Sequence, residues 1–177
     1  ESNLTHTVRW RGVEQRPGLT TEDARSQVIQ EEMEEELVRL RDMAPNIRVE
    51  IPPTVSNTRR ALAALVRIEQ THSWRVGEAR TRLYRSIWWE GKDITEWEEI
   101  RAVLSEFELD DLHDDSPEMG RVVETTKEWR STDVNRIPLL TGQDGGGVWE
   151  GLGQRAELIR FLDQQLGGPL ASFDDAR

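Results

Sequence analysis

The chain has 177 residues, a formal net charge of −11 at pH 7 and no cysteine. Its excess of carboxylates argues against binding to nucleic-acid phosphates or to an anionic membrane surface, and it has no run of about 18 apolar residues that could span a bilayer. Without a cysteine, the chain itself cannot carry out thiol–disulfide chemistry. The same absence fits a reducing compartment, and we expect a soluble cytoplasmic protein. The length allows one domain with a sizeable core or a small domain carrying an insertion, and we expect the second.

The first third of the chain predicts a strand, a long helix and a second short strand. Residues 7–13 alternate apolar and polar side chains, and residues 47–51 do the same before Pro52 and Pro53. Residues 21–43 predict one long amphipathic helix, either continuous or with a single break, that ends before Pro45. Because the chain starts without a methionine and almost inside its first strand, we expect a fragment of a longer protein.

A block of three short helices is predicted next, over residues 56–115. Ser56 or Asn57 caps the first helix, Gly91 closes the second, and Thr95 with Glu98 forms a capping-box pattern that opens the third. The apolar stripes of these helices predict a common core.

The last third predicts a helix, two short strands and a final helix. Ser116-Pro117 opens the helix, since proline is favoured at the first helical position. Pro138 opens a strand over residues 137–140, glycines 145–147 form a hairpin turn, and a strand over 147–149 leads to a helix over 154–166.

Five motifs stand in an order that resembles one known family. Residues 83–94 read Leu-Tyr-Arg-Ser-Ile-Trp-Trp-Glu-Gly-Lys-Asp-Ile, and the other four motifs are residues 8–13, 56–58, 136–138 and 149–151. Together they resemble DsbA-like proteins of the FrnE and 2-hydroxychromene-2-carboxylate isomerase branch. The resemblance implies an α/β fold: an incomplete thioredoxin-like sheet with an α-helical insertion domain, divided into residues 1–55, 56–115 and 116–177.

The same resemblance implies a function and a site. Family members carry Cys-x-x-Cys or a catalytic serine on elements that would precede Glu1, so we expect no catalytic residue in this chain. The Ile137–Pro138 bond is expected to be cis, with its backbone presented to substrate and the Ile137 side chain against the core. Ile137, Pro138 and Asn57 are therefore the expected substrate-binding residues, although a helix-cap role is the commoner one for Asn57. The implied partner is a thiol- or disulfide-containing protein or a small thiol.

Two other functions stay open at this point. One is a glutathione-dependent isomerase or transferase, with glutathione as its cofactor, although residues 152–155 read Leu-Gly-Gln-Arg where glutathione-using members carry Ser-Asp or Asn-Asp. The other is a catalytically silent interaction protein. The residues upstream of Glu1 would distinguish these three functions. The oligomeric state is also open, and a homodimer is one possibility.

Two further groups of side chains are candidates for a site. Trp88 extends an apolar stripe and is expected in the core, whereas Trp89 is the better surface candidate. The three histidines lack metal-ligand spacing, and the acidic residues of 110–115 are most simply a solvated connection between helices. No metal and no other cofactor is assigned.

Overall fold

The computed structural model describes residues 9–20, 22–134, 136–142 and 146–166. Within them the protein is mixed α/β and rich in helix, with six α-helices and one two-stranded antiparallel sheet. The elements in chain order are α1 (Gln27–Met43), α2 (Arg59–Thr71), α3 (Val76–Trp88), α4 (Trp97–Val103), α5 (Pro117–Arg130), β1 (Leu139–Thr141), β2 (Val148–Glu150) and α6 (Arg155–Leu166). No helix among the described residues is both long and apolar enough to cross a membrane.

The chain forms two compact units. Arg11–Ser131 makes one, called here the helical unit, and Glu1–Trp10 with Thr132–Arg177 makes the other, called here the hairpin unit. The predicted three-part division at residues 55/56 and 115/116 stays a prediction.

The core of the helical unit lies between α2, α3, α4 and the segment that follows α4. Ala64 on α2 is fully buried, and this small residue lets neighbouring helices approach closely. Ile68, Ile100 and Leu104 are at most 1% exposed, and full burial of such a side chain contributes about 1.5–3 kcal/mol. The apolar stripes predicted for residues 56–115 therefore do meet in a common core.

Of three helix starts, one agrees with the sequence and two differ from it. Ser26 caps α1 by accepting a hydrogen bond from the Ile29 amide, so the helix predicted over 21–43 is broken there, after a 3₁₀ turn at Asp23–Arg25. Pro117 is the first residue of α5, as predicted. The capping box at Thr95 is wrong: α4 begins at Trp97, and the Thr95 hydroxyl instead donates to Asp93 Oδ1 at 2.6 Å.

Two predicted strands do not form. Residues 9–13 and 47–51 contain no strand, and residues 7 and 8 lie outside the described residues. In the second segment the Glu50 amide donates to the carbonyl of Trp88, at the end of α3, over 2.7 Å. Alternation marks a half-buried segment, but a strand also needs a neighbouring strand to pair with, and the sheet among the described residues contains only β1 and β2.

The hairpin unit contains β1, β2 and α6 in the predicted order. Leu139 pairs with Glu150 and Thr141 with Val148. The Gly142 amide donates to the Gly147 carbonyl over 3.0 Å, which closes the ladder beside the turn. Of the predicted glycine turn, Gly145 lies outside the described residues. The coarse α/β class is thus established, and the thioredoxin-like sheet stays a prediction.

Candidate functional site: the proline segment

The segment Arg136-Ile137-Pro138 leads directly into β1 and is fastened to the far end of β2. The Arg136 amide donates to Glu150 Oε1 over 3.0 Å, and the Gly151 amide donates to the Pro138 carbonyl over 2.9 Å. These bonds extend the contact between the two strands beyond the ladder, so the position of the segment is set by β2.

The Ile137–Pro138 peptide bond is cis, the geometry expected from the resemblance. The expected packing of Ile137 against a core is wrong, because the residue is 38% exposed. Among the described residues, neither its amide nor its carbonyl forms a hydrogen bond. Ile137 thus offers one donor, one acceptor and an apolar side chain to a ligand.

Glu150 holds this segment directly, and Trp149 supports the adjoining end of β2. Trp149 Nε1 donates to the Gly151 carbonyl over 3.0 Å, and the Trp149 ring lies 6.0 Å from the ring of Phe161 on α6. The Glu150 carboxylate accepts the hydrogen bond that the Arg136 amide donates. The motif at residues 149–151 marks the place, but a single sequence does not show that the Glu150 side chain binds an amide 14 positions earlier.

Asn57 lies in the helical unit, where its backbone amide and both polar atoms of its side chain have partners. Its Oδ1 accepts from the Arg59 amide at 3.1 Å, and its Nδ2 donates to the Leu19 carbonyl at 3.3 Å. Its own amide donates to Thr95 Oγ1 at 3.0 Å. Asn57 therefore caps the start of α2 and ties it to two other segments, and a ligand contact by Asn57 stays a prediction.

The neighbouring tryptophans divide as predicted. Trp88 is partly buried and packs against the core cluster. Trp89 is 42% exposed and lies under the guanidinium of Arg85, 5.0 Å from the ring centre, an arrangement that stabilises a cation at the surface.

The acidic connection at residues 110–115 is not simply solvated, because arginines of α2 bind it. Arg60 donates to both carboxylate oxygens of Asp114 at 2.7 Å. These bonds, aided by Trp97 Nε1 at 2.8 Å, lower the pKa of Asp114 to about 2. Because arginine neutralises these carboxylates, their clustering does not require a bound metal ion.

Arg67 makes a second such link, to Asp111 and to Glu118 at the start of α5. Its Nε donates to Glu118 Oε1 at 2.9 Å, and this bond lowers the pKa of Glu118. Glu118 is 4% exposed, so a charge is buried here only because its partner lies within reach. Among the residues that the structure describes, no three histidine or acidic side chains gather in a way that could hold a metal ion.

No protein-family model matches the chain, and no curated protein sequence does either.

Proposed function

We propose that the chain is the substrate-binding part of a DsbA-like thiol–disulfide oxidoreductase. In this proposal the proline segment holds an extended peptide that carries a thiol or a disulfide. One observation carries the proposal: Ile137 stands at the open end of the β1–β2 ladder with its amide, its carbonyl and part of its side chain available among the described residues.

An extended peptide can use these groups as a further strand does. The Ile137 amide would donate to a substrate carbonyl and its carbonyl would accept a substrate amide, while the exposed side chain adds apolar contact. Main-chain bonds of this kind give affinity without demanding a particular sequence. This suits an enzyme that acts on a disulfide whatever the amino-acid sequence around it.

The reactive sulfur is not part of this chain, since the sequence contains no cysteine. In the proposal a thiolate from a residue outside these 177 attacks one substrate sulfur, a mixed disulfide forms, and the other sulfur leaves as a thiolate. We place the protein in the cytoplasm, a reducing compartment in which such thiols are kept available.

Binding can be tested on the chain as it stands. A short peptide whose single cysteine is capped as a mixed disulfide is titrated into the ¹⁵N-labelled protein, and a second titration uses glutathione. We expect saturable shifts of the Ile137 amide with the peptide. Ile137→Asp is expected to weaken binding about tenfold through loss of apolar contact and through charge. Val148→Asp is the matched control, because Val148 is 55% exposed on β2 of the same unit and lies outside the segment.

The other outcomes separate the alternatives. Shifts with glutathione but not with the peptide would favour the glutathione-dependent isomerase or transferase. No shift at Ile137 with either ligand would contradict the proposal and favour a silent interaction protein. An equal loss of affinity in the two variants would show that the peptide does not use the proline segment.

A further inference from the structure

A cavity of about 300 Å³ lies in the helical unit, between the start of α2, the last turns of α5 and the segment that carries Glu14. Its base is formed by two buried residues, Glu14 at 2% exposed and Thr126 at 4%. The Glu14 amide donates to Thr126 Oγ1 over 3.0 Å, and Arg59 Nε donates to both Glu14 oxygens over 2.9 Å. The base is therefore fixed by hydrogen bonds that join three separate segments of the chain.

The charge of this cavity is opposite to that of the chain. Arg59, Lys127 and Arg130 line it together with a single carboxylate, Glu14, whereas the whole chain carries −11. Arg59 neutralises Glu14, which leaves Lys127 and Arg130 uncompensated. Among the described residues these two side chains form no ion pair, and the Nη atoms of Arg59 donate no hydrogen bond. The dipole of α5 favours cations such as Lys127 and Arg130 in its last turn. The dipole does not explain why these two residues line the same cavity as Arg59.

The lining also has an apolar side. Pro17 and Val123 border the cavity, and Val123 is 45% exposed although it is a large apolar residue of a helix. The volume is at the lower end of the range for small-molecule pockets, about 300–1,000 Å³. A ligand that fits has one anionic group and a small apolar body.

We infer that this cavity binds a small molecule in which a phosphate or carboxylate group is attached to an apolar group. The Nη atoms of Arg59 present donors in the fixed fork that matches two oxygens of such an anion. Lys127 and Arg130 bind the remaining negative charge of the anion, and the apolar group of the ligand lies against Pro17 and Val123. The site belongs to the helical unit and does not depend on the function proposed for the proline segment.

Titration calorimetry with phenyl phosphate, and separately with benzoate, tests the inference and distinguishes the two anion classes. Lys127→Gln combined with Arg130→Gln removes two charges from the cavity while leaving the buried Glu14–Arg59 pair intact. Arg41→Gln combined with Arg121→Gln is the matched control, because it removes two exposed charges of helices α1 and α5 that do not line the cavity.

We expect 1:1 binding of at least one of the two ligands with a Kd below about 1 mM. The cavity double variant is expected to lose about tenfold or more in affinity, since each bond to a charged group contributes that much, and the control less than about threefold. ¹⁵N spectra should show the Glu14 and Thr126 amides moving with the same Kd. Absence of saturable binding overturns the inference, and so does an equal loss of affinity in the two double variants.

Discussion

Arg59 Nε lies 2.9 Å from both carboxylate oxygens of Glu14, 45 residues earlier in the chain. The Glu14 side chain is 2% exposed and that of Arg59 is 34% exposed, so the arginine covers a carboxylate that water cannot reach. This pair fastens the segment before α1 to the first turn of α2.

Removing the arginine should therefore destabilise the helical unit. Arg59→Met leaves Glu14 buried without its cation, and we expect the free energy of unfolding to fall by about 2–4 kcal/mol. Urea unfolding followed by circular dichroism measures the change, with Arg121→Met as a control on an exposed arginine of α5. Adding Glu14→Gln to Arg59→Met should recover part of the loss. A loss no greater than that of the control would mean that the pair is not important for stability.

Asp114 should titrate far below an ordinary aspartate. Hydrogen bonds from Arg60 and Trp97 lower its pKa to about 2, which carboxyl-detected NMR can follow directly. Arg60→Gln should return the pKa towards 3.8, its ordinary value. Because the folded-state pKa lies below the unfolded one, the pair stabilises the protein above about pH 4 and loses this contribution as the pH falls towards 2. An unchanged pKa in Arg60→Gln would contradict the assignment of the cause.

Two glycines of the helical unit should respond in opposite directions to alanine. A Cβ added at Gly91 or at Gly120 meets no atom within 4 Å, but Gly91 has φ +63° while Gly120 lies within α5. Gly91→Ala should cost about 1–2 kcal/mol because an alanine is strained at that φ. Gly120→Ala should stabilise by about 0.5–1 kcal/mol through helix propensity. Chemical unfolding of the two variants side by side checks the signs, and a stabilising Gly91→Ala would refute the turn geometry.

Variants of Asn57 can show whether this residue stabilises the fold or binds a ligand. Asn57→Ala removes the acceptor of the Arg59 amide and should cost about 1 kcal/mol, as loss of a helix cap does. Asn57→Asp keeps that acceptor and should cost less. If thermal unfolding shows no loss for Asn57→Ala while peptide or glutathione binding disappears, Asn57 serves a ligand instead.

The 177-residue chain by itself should not catalyse thiol–disulfide exchange, because it has no cysteine to form a thiolate. The measurement is the reduction of a protein disulfide by dithiothreitol with and without the chain. A rate above that of dithiothreitol alone would require a chemistry that does not pass through a cysteine of this protein.

Much of the helical structure could be predicted from local spacing alone. The apolar stripe of residues 56–71, the Ser116-Pro117 start and the proline before the hairpin each depend on neighbours within a few positions, and helix hydrogen bonds are equally local. The alternation at 9–13 and 47–51 failed because a strand depends on a partner backbone that the sequence does not specify.

The contacts that hold the sites together were decided by the tertiary structure. Nothing near Glu14 in the sequence indicates that it is buried, since its partner Arg59 comes from another element. The exposure of Ile137 likewise depends on what lies around β1, not on its own neighbours. Composition and periodicity determined which segments are helices and that the chain lacks a thiol. Burial, ion pairing and the charge of a cavity depend on which distant residues are brought together, and those follow only from the folded arrangement.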